Sequence, residues 1–121
     1  MTTETLDKTE LENIIHTATN AAYRAADTYF HDELGGVDQY ACGFAWVELI
    51  SYKGQKITGR SRLGRMLKEL GVRQDHARVF YIWNPASYPV QNVDTLEAGA
   101  RAAAEVFKRA GFEAVSVYRL D

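Results

Sequence analysis

The sequence predicts an α/β or α+β domain in which a long N-terminal helix precedes a small three-stranded sheet covered by two helices. Hydrophobic residues recur at helical spacing before Gly35-Gly36, and they alternate with period two from residue 40 onward. With 121 residues, of which 46% are hydrophobic and 25% charged, the chain fits a single ordered domain. This composition excludes disorder, collagen and membrane-spanning classes.

Residues 1–34 are interpreted as an N-terminal amphipathic helical arm. We expect Thr9 and Glu12 to form its capping box and Gly35-Gly36 to end it. A helix of about 24 residues would be about 36 Å long, which is more than a small core covers. Its apolar stripe is therefore expected either to wrap its own domain or, in part, to pack against a second subunit in a homo-oligomer. The stripe consists of Leu11, Ile14, Ile15, Ala18, Ala22, Ala25, Ala26, Tyr29 and Phe30.

Three segments of residues 40–121, the compact α/β part, are predicted to be strands: 40–52, 78–83 and 112–120. The first has apolar residues on both faces and is expected to lie at the centre of the sheet. The two strand–helix–strand units favour parallel pairing with right-handed crossovers, although an antiparallel or mixed sheet also fits.

Two helices are predicted between these strands. Ser61 is expected to cap the helix over 62–70, and Gly71 to end it. A third helix is expected to begin at Asp94, with a capping-box glutamate three residues later, and to end at Gly111.

Charge and cysteine content restrict the function classes. The net charge of −2 argues against a general nucleic-acid binder, although residues 1–40 carry −6 (two basic, eight acidic) and the rest +4 (twelve basic, eight acidic). The single cysteine, Cys42, excludes an internal disulfide and indicates a reducing compartment. Together with a start that lacks a signal-peptide pattern, this predicts a cytoplasmic protein.

Metal and thiol chemistry are not predicted. The three histidines show neither metal-ligand spacing nor a cysteine-protease signature, so no metal site and no cofactor are expected. Cys42 lies among apolar residues of a predicted strand, and we expect it to be a buried structural cysteine.

A basic, glycine-containing loop is the first candidate for binding. Six cations fall within residues 53–68 without one acid, directly before and within the second helix. Free backbone N–H groups and the helix dipole would assist the side chains in holding phosphate, here Arg60, Ser61, Arg62 and Arg65. The Gly-Lys-Ser/Thr ending of a Walker loop is missing, and an ordinary solvated loop is the alternative.

An aromatic loop is the second candidate. Trp83 and Tyr88 are placed to stack on a base, while Asn84 and Gln91 can satisfy its polar edge. The alternative is that at least one of Tyr81 and Trp83 is core packing and that Trp83-Asn84-Pro85 is a rigid turn in which Asn84 bonds to the backbone. Binding requires that the basic and aromatic loops line a common hollow.

The order of short motifs resembles that in a family of small phage and prophage proteins to which no function is assigned. The resemblance covers residues 42–121 and not the arm. Family members show Ser-Arg before the final Leu/Met-Asp, whereas this chain has Tyr118-Arg119. The resemblance therefore keeps Arg119 as a candidate binding residue and weakens any role for the serine, which Tyr118 replaces here. The motifs are CGFAWV from Cys42, Leu63-Gly64, WNP from Trp83, QNVD from Gln91, EAGA from Glu97 and RLD from Arg119.

The resemblance implies a phage origin and therefore a binding role in the host cytoplasm, such as sequestering a nucleotide signal of host immunity. The leading hypothesis is a homo-oligomeric protein that binds a phosphorylated, nucleotide-like small molecule. The alternatives are a phosphodiesterase or a Cys42-dependent hydrolase acting on such a ligand, and a protein-binding inhibitor of a host factor. Nucleic acid is the weakest option, and no membrane partner is expected.

Overall fold

Three helices and five strands make up residues 6–121, the part of the chain that the computed structural model describes. They confirm the predicted mixed class, with a long N-terminal helix followed by a small sheet and helices that cover it, but the sheet has five strands and not the predicted three. In chain order the elements are α1 (Lys8–Asp32), β1 (Gly43–Tyr52), β2 (Gln55–Lys56), α2 (Arg62–Glu69), β3 (Arg73–Gln74), β4 (Phe80–Trp83), α3 (Val93–Arg109) and β5 (Phe112–Leu120).

The strand pairs of this sheet are antiparallel, so the parallel pairing that we favoured is wrong. β1 is central as predicted and pairs with β4 and β5, while β2 pairs with the end of β1 and β3 pairs with β4. β4, α3 and β5 do form a strand–helix–strand unit with both strands running the same way, but β1 lies between them. The short strands β2 and β3 add the changes of chain direction that make β1 and β4 antiparallel. Each has two residues, which is too short to produce a periodic hydrophobic pattern in the sequence.

α1 begins two residues before the predicted capping box. The Asp7 carboxylate accepts the Glu10 N–H at 2.8 Å, and the Glu10 carboxylate accepts the Asp7 N–H at 3.0 Å. This pair, and not Thr9 with Glu12, caps the helix. The chain leaves α1 through Gly35-Gly36, both with positive φ, as predicted. None of the helices within residues 6–121 has an apolar stretch long enough to cross a membrane.

The buried face of α1 packs on α3. Gly99 of α3 is crowded on two sides, because a Cβ there would lie 3.1 Å from the Ala22 carbonyl oxygen of α1 and 2.7 Å from the Cβ of Ala86 in the segment after β4. This face shares one core with β1 and β5, so α1 wraps its own domain, which is one of the two arrangements considered for it. The contact with a second subunit stays a prediction. The buried residues are Leu11, Ala18, Ala22 and Ala26.

The ends of α2 and α3 are set by side-chain caps. Ser61 caps α2 as predicted, accepting a backbone N–H of the first turn at 3.0 Å, and Gly71 follows the helix with φ +90°. α3 starts earlier than predicted, because Asn92 and not Asp94 is its N-cap and accepts the Thr95 N–H at 2.8 Å.

β1 has one covered face and one uncovered face. Ala45, Val47 and Leu49 are at most 1% exposed on the face that meets the helices. The alternate residues stay half-buried or exposed, because the helices pack on the other side of the sheet. The open face, as we call it, consists of Phe44, Trp46, Glu48, Tyr81, Trp83, Val115, Val117 and Arg119.

Candidate ligand-binding site

The two tryptophans of the chain stack on each other across β1 and β4 on the open face. Trp46 pairs with Trp83 in the strand register, and their rings lie 5.3 Å apart between centroids with planes 16° apart. Phe44 continues the cluster, with its centroid 5.4 Å from that of Trp83. Trp83 remains 48% exposed. The sheet therefore presents an aromatic surface on which a flat ring can stack.

One cation and one anion flank these rings. The Arg119 guanidinium lies over Phe44, 5.1 Å from the ring centroid, in a cation–π contact. The Glu48 carboxylate accepts the indole N–H of Trp46 at 3.1 Å and so fixes the orientation of that ring. Arg119 supplies a positive charge beside the aromatic surface, which suits a ligand that carries both rings and negative groups.

A groove of about 600 Å³ extends from Trp83 toward β3. Tyr81 and the exposed Arg73, which pair across β4 and β3, line it together with the apolar side chains of Leu70 and Val72. We call this the edge groove. It places a second arginine near the aromatic surface, on the side away from β5.

A second groove, of about 760 Å³, contains a concentration of positive charge. The acid that lines it, Asp75, accepts the backbone N–H groups of Ala77 at 2.8 Å and Val79 at 3.0 Å, so its carboxylate is engaged in the turn before β4. We call this the basic groove. Its four cationic side chains are Lys56, Arg60, Lys68 and Arg78.

The predicted phosphate-binding residues are dispersed. Arg60 lines the basic groove, and Arg65 is exposed on α2. Arg62 donates to the Leu6 carbonyl at 2.7 Å and lines a different pocket. Ser61 uses its hydroxyl to donate to the Thr58 carbonyl at 2.8 Å while accepting its capping bond. Assigning Ser61 to phosphate is therefore wrong, because its hydrogen bonds are used in the cap.

Tyr88 is a core residue, so its predicted stacking role is wrong. Its ring is only 7% exposed and packs against Tyr23 and Phe30, with centroids 5.2 and 5.6 Å away. Its hydroxyl donates to the Asp27 carboxylate. That hydrogen bond, with burial and the negative charge of Asp27, raises the pKa of Tyr88 to about 12.

The predicted amide readers lie outside the open face. Asn84 occupies the turn after β4 with φ +45°, and its buried Oδ1 has no hydrogen-bond partner among residues 6–121. Gln91 lies before α3, where its Oε1 accepts the Cys42 thiol at 3.8 Å. Trp83 and Arg119 are thus the two predicted site residues that the structure brings together, with Phe44 between them.

The predicted common hollow of the basic and aromatic loops is also wrong. Trp83 is in register with Trp46, whereas Lys56 of the basic loop is in register with Ser51, five residues further along β1. At the usual rise of a strand this separates the two regions by about 17 Å. The two loops therefore do not line one hollow.

Sequence reasoning missed Phe44, Trp46 and Arg73. The first two were visible as one face of a strand with two apolar faces, which we expected to be buried on both sides. Helices that pack on a single side can bury only one of those faces, so the other had to be surface. Arg73 lies in a two-residue strand and had no pattern to mark it.

Cys42 is exposed, which corrects the expectation of a buried structural cysteine. It precedes β1 at an isolated bridge to Asn92, the N-cap of α3. Its thiol bonds to the amide of Gln91, which is not a base that could activate it. Within residues 6–121, no three His, Cys, Asp or Glu side chains cluster in a way that could hold a metal ion.

Comparison with protein-family models, with curated proteins and with solved structures finds no significant match to this chain. The resemblance to phage and prophage proteins therefore stays a prediction.

Proposed function

We propose that this chain binds a phosphorylated, nucleotide-like ligand on the open face of its sheet. The observation that carries the proposal is the stack of the exposed Trp83 on the half-buried Trp46, with Arg119 held beside it over Phe44. Stacking on such rings tolerates any base, because every base has a π face.

The phosphate contacts are assigned to the two arginines at the borders of the aromatic surface. Arg119 lies on β5 and Arg73 on β3, with the tryptophan pair between them. A guanidinium can donate two parallel hydrogen bonds to a phosphate, which a surface lysine cannot do with the same geometry. The site proposed from the structure thus keeps Trp83 and Arg119 and adds Trp46, Phe44 and Arg73.

The role proposed for this binding is sequestration in the cytoplasm, of a bacterial host if the chain is phage-encoded. The exposed free thiol of Cys42 supports a reducing compartment. Binding without turnover is favoured over hydrolysis, because the thiol bonds to an amide and not to a general base. Mass spectrometry of the ligand recovered after incubation tests this point: intact ligand supports sequestration, and a cleaved product contradicts it.

Calorimetric titration with mononucleotides, cyclic di- and trinucleotides and cyclic ADP-ribose derivatives tests the binding itself. Trp83→Ala and Arg119→Ala are each expected to weaken binding about tenfold or more. Tyr118→Ala is the matched aromatic control, since Tyr118 is 53% exposed but lies on the other face of β5. Arg101→Ala, on the exposed side of α3, is the cationic control. Absence of binding across the panel, or equal loss in both controls, would overturn the proposal.

A further inference from the structure

We propose, resting on the function above, that the ligand is a single-stranded oligonucleotide of about five nucleotides or more. Its bases stack on the open face, and its phosphates continue through the edge groove into the basic groove. The inference names the class of ligand for the same site.

The first support is the segregation of charge. Residues 53–78 carry eight cationic and two acidic side chains, a net charge of +6, while the rest of the chain carries six cationic and fourteen acidic ones, a net of −8. The overall charge of −2, which argued against nucleic acid, therefore hides a strongly basic end. A phosphate backbone is attracted to such a local patch, whatever the sign of the whole molecule.

The second support is that both grooves border β3, the last strand of the sheet order. Arg73, on the open face, lines the edge groove, and Gln74, whose side chain alternates to the other face, lines the basic groove. Tyr81 and Trp83 border the first, and Arg60, Lys68 and Arg78 the second. A strand of nucleic acid that leaves the aromatic rings past Arg73 therefore crosses the outer edge of β3 to reach this cluster of cations.

The third support is length. The aromatic pair and Lys56 are about 17 Å apart along β1, judged from the strand registers. At about 3.4 Å per nucleotide, as in one strand of a duplex, that distance corresponds to about five nucleotides, which is the minimum for a path that runs around β3. A mononucleotide occupies only one end of the path, so the basic groove would contribute nothing to its binding.

The basic groove carries an excess of positive charge. Its four cations outnumber the one acid that lines it, Asp75, and a Cβ added to Gly59 would lie 2.9 Å from Lys68 Nζ and 3.0 Å from Gln74 Oε1. The absence of a side chain at residue 59 makes room for the Lys68 ammonium group. The groove thus concentrates several cations to which a phosphate can bind.

A length series tests the proposal. Homo-oligomers of deoxythymidine and of uridine, from the mononucleotide to about ten nucleotides, are titrated against the full chain by fluorescence anisotropy. Affinity is expected to rise at least tenfold as length passes about five nucleotides and to change little thereafter. Comparison of the two series distinguishes DNA from RNA as the source of the strand.

Two double variants test whether the basic groove causes the increase in affinity with oligonucleotide length. The double variant Lys68→Ala, Arg78→Ala is expected to remove the length dependence while leaving mononucleotide binding within twofold. In the wild type, the slope of log affinity against log salt should exceed that of the variant by about 0.7 for each phosphate contact removed. The control is Arg101→Ala, Lys108→Ala on α3, which makes the same change in charge and should keep both the length dependence and the slope.

The outcomes separate the two proposals. Equal affinity for all lengths, still sensitive to Trp83→Ala, overturns the oligonucleotide and retains the nucleotide site. No binding of any nucleotide overturns both. Light scattering tests whether a second copy of the chain covers the open face. If the wild type is a dimer and Trp83→Ala makes it monomeric, the open face is a dimer interface and the oligonucleotide proposal fails.

Discussion

Trp83 lies against Trp46 with ring planes only 16° apart, on neighbouring strands and on the side of the sheet that the helices leave uncovered. Large rings in this position usually form core, yet Trp83 is 48% exposed. The strand register holds the two rings together, and Trp83 is accessible because it lies on the side of the sheet away from the helices.

The stack should be detectable spectroscopically. Trp83→Phe is expected to remove the exciton signal of paired indoles in the circular dichroism spectrum and to lower the free energy of unfolding by about 1 kcal/mol. Tyr118→Phe, on the opposite face, should leave both unchanged. An unaltered exciton signal in Trp83→Phe would show that the indoles are not paired in solution.

Gly99 sets the distance between α1 and α3. In an exposed helix, replacing glycine by alanine stabilises by about 1 kcal/mol. Here the new Cβ would meet Ala86 and the Ala22 carbonyl, so Gly99→Ala is expected to destabilise by about 1–3 kcal/mol in urea unfolding. The direction of the change in the free energy of unfolding decides the test, because a gain in stability would contradict the close packing around Gly99.

Asp38 fastens the segment before β1 to the segment before α3. Its carboxylate accepts the Asn92 side-chain amide at 2.9 Å and the backbone N–H groups of Gln91 at 2.9 Å and Asn92 at 3.0 Å. The Asn92 side chain and then the Gln91 N–H are the main causes that lower the pKa of Asp38 from its ordinary value of 3.8. These bonds hold the N-cap of α3 in place.

Asp38→Asn should therefore destabilise the protein at neutral pH by about 1 kcal/mol, since the carboxylate is solvent-exposed. A lowered pKa means that the stabilisation is present above the unfolded-state pKa and is lost as pH falls through the folded-state pKa. The difference between wild type and Asp38→Asn in denaturant titrations should accordingly shrink below about pH 4. Asp32→Asn, at the exposed end of α1, is the control, and a pH-independent difference for Asp38→Asn would refute the bonding scheme.

The Tyr88 hydroxyl affects stability at alkaline pH, whereas Asp38 does so at acidic pH. Because its folded pKa of about 12 lies above the ordinary 10.0, its stabilisation is complete below pH 10 and is lost as pH rises through 12. Ultraviolet titration should show one tyrosine ionising near pH 12 that is absent in Tyr88→Phe, and this variant should lose less stability at alkaline pH than the wild type. Its nucleotide affinity should be unchanged, and a loss there would restore Tyr88 to the site.

Local features of the sequence predicted the elements with their own signals. Ser61 and Gly71 bound α2 because a side-chain cap and a left-handed glycine act within a few residues. The alternation of β1 identified a central strand. The sequence did not show which of two neighbouring residues would cap α3. Asn92 and not Asp94 is the N-cap, because Asp38, distant in sequence, holds the Asn92 side chain in position.

The candidate site was less predictable, because it depends on pairing between distant segments. Trp83 meets Trp46 only through the antiparallel register of β4 on β1, and the reversal that produces this register comes from two-residue strands. Tyr88 was misassigned because its partner, Asp27, lies 61 residues away. Residue type indicated binding chemistry, but only topology distinguishes a ring on the surface from a ring in the core.

The most direct test of the account is a ¹H–¹⁵N spectrum of the two indole N–H groups during titration with a thymidine homo-oligomer. The chain has two tryptophans, and both lie on the open face, so both indole signals should shift while the backbone amides of Tyr118 and Arg101 stay in place. If the oligomer binds and neither indole signal moves, the ligand lies elsewhere and the open face is not the site.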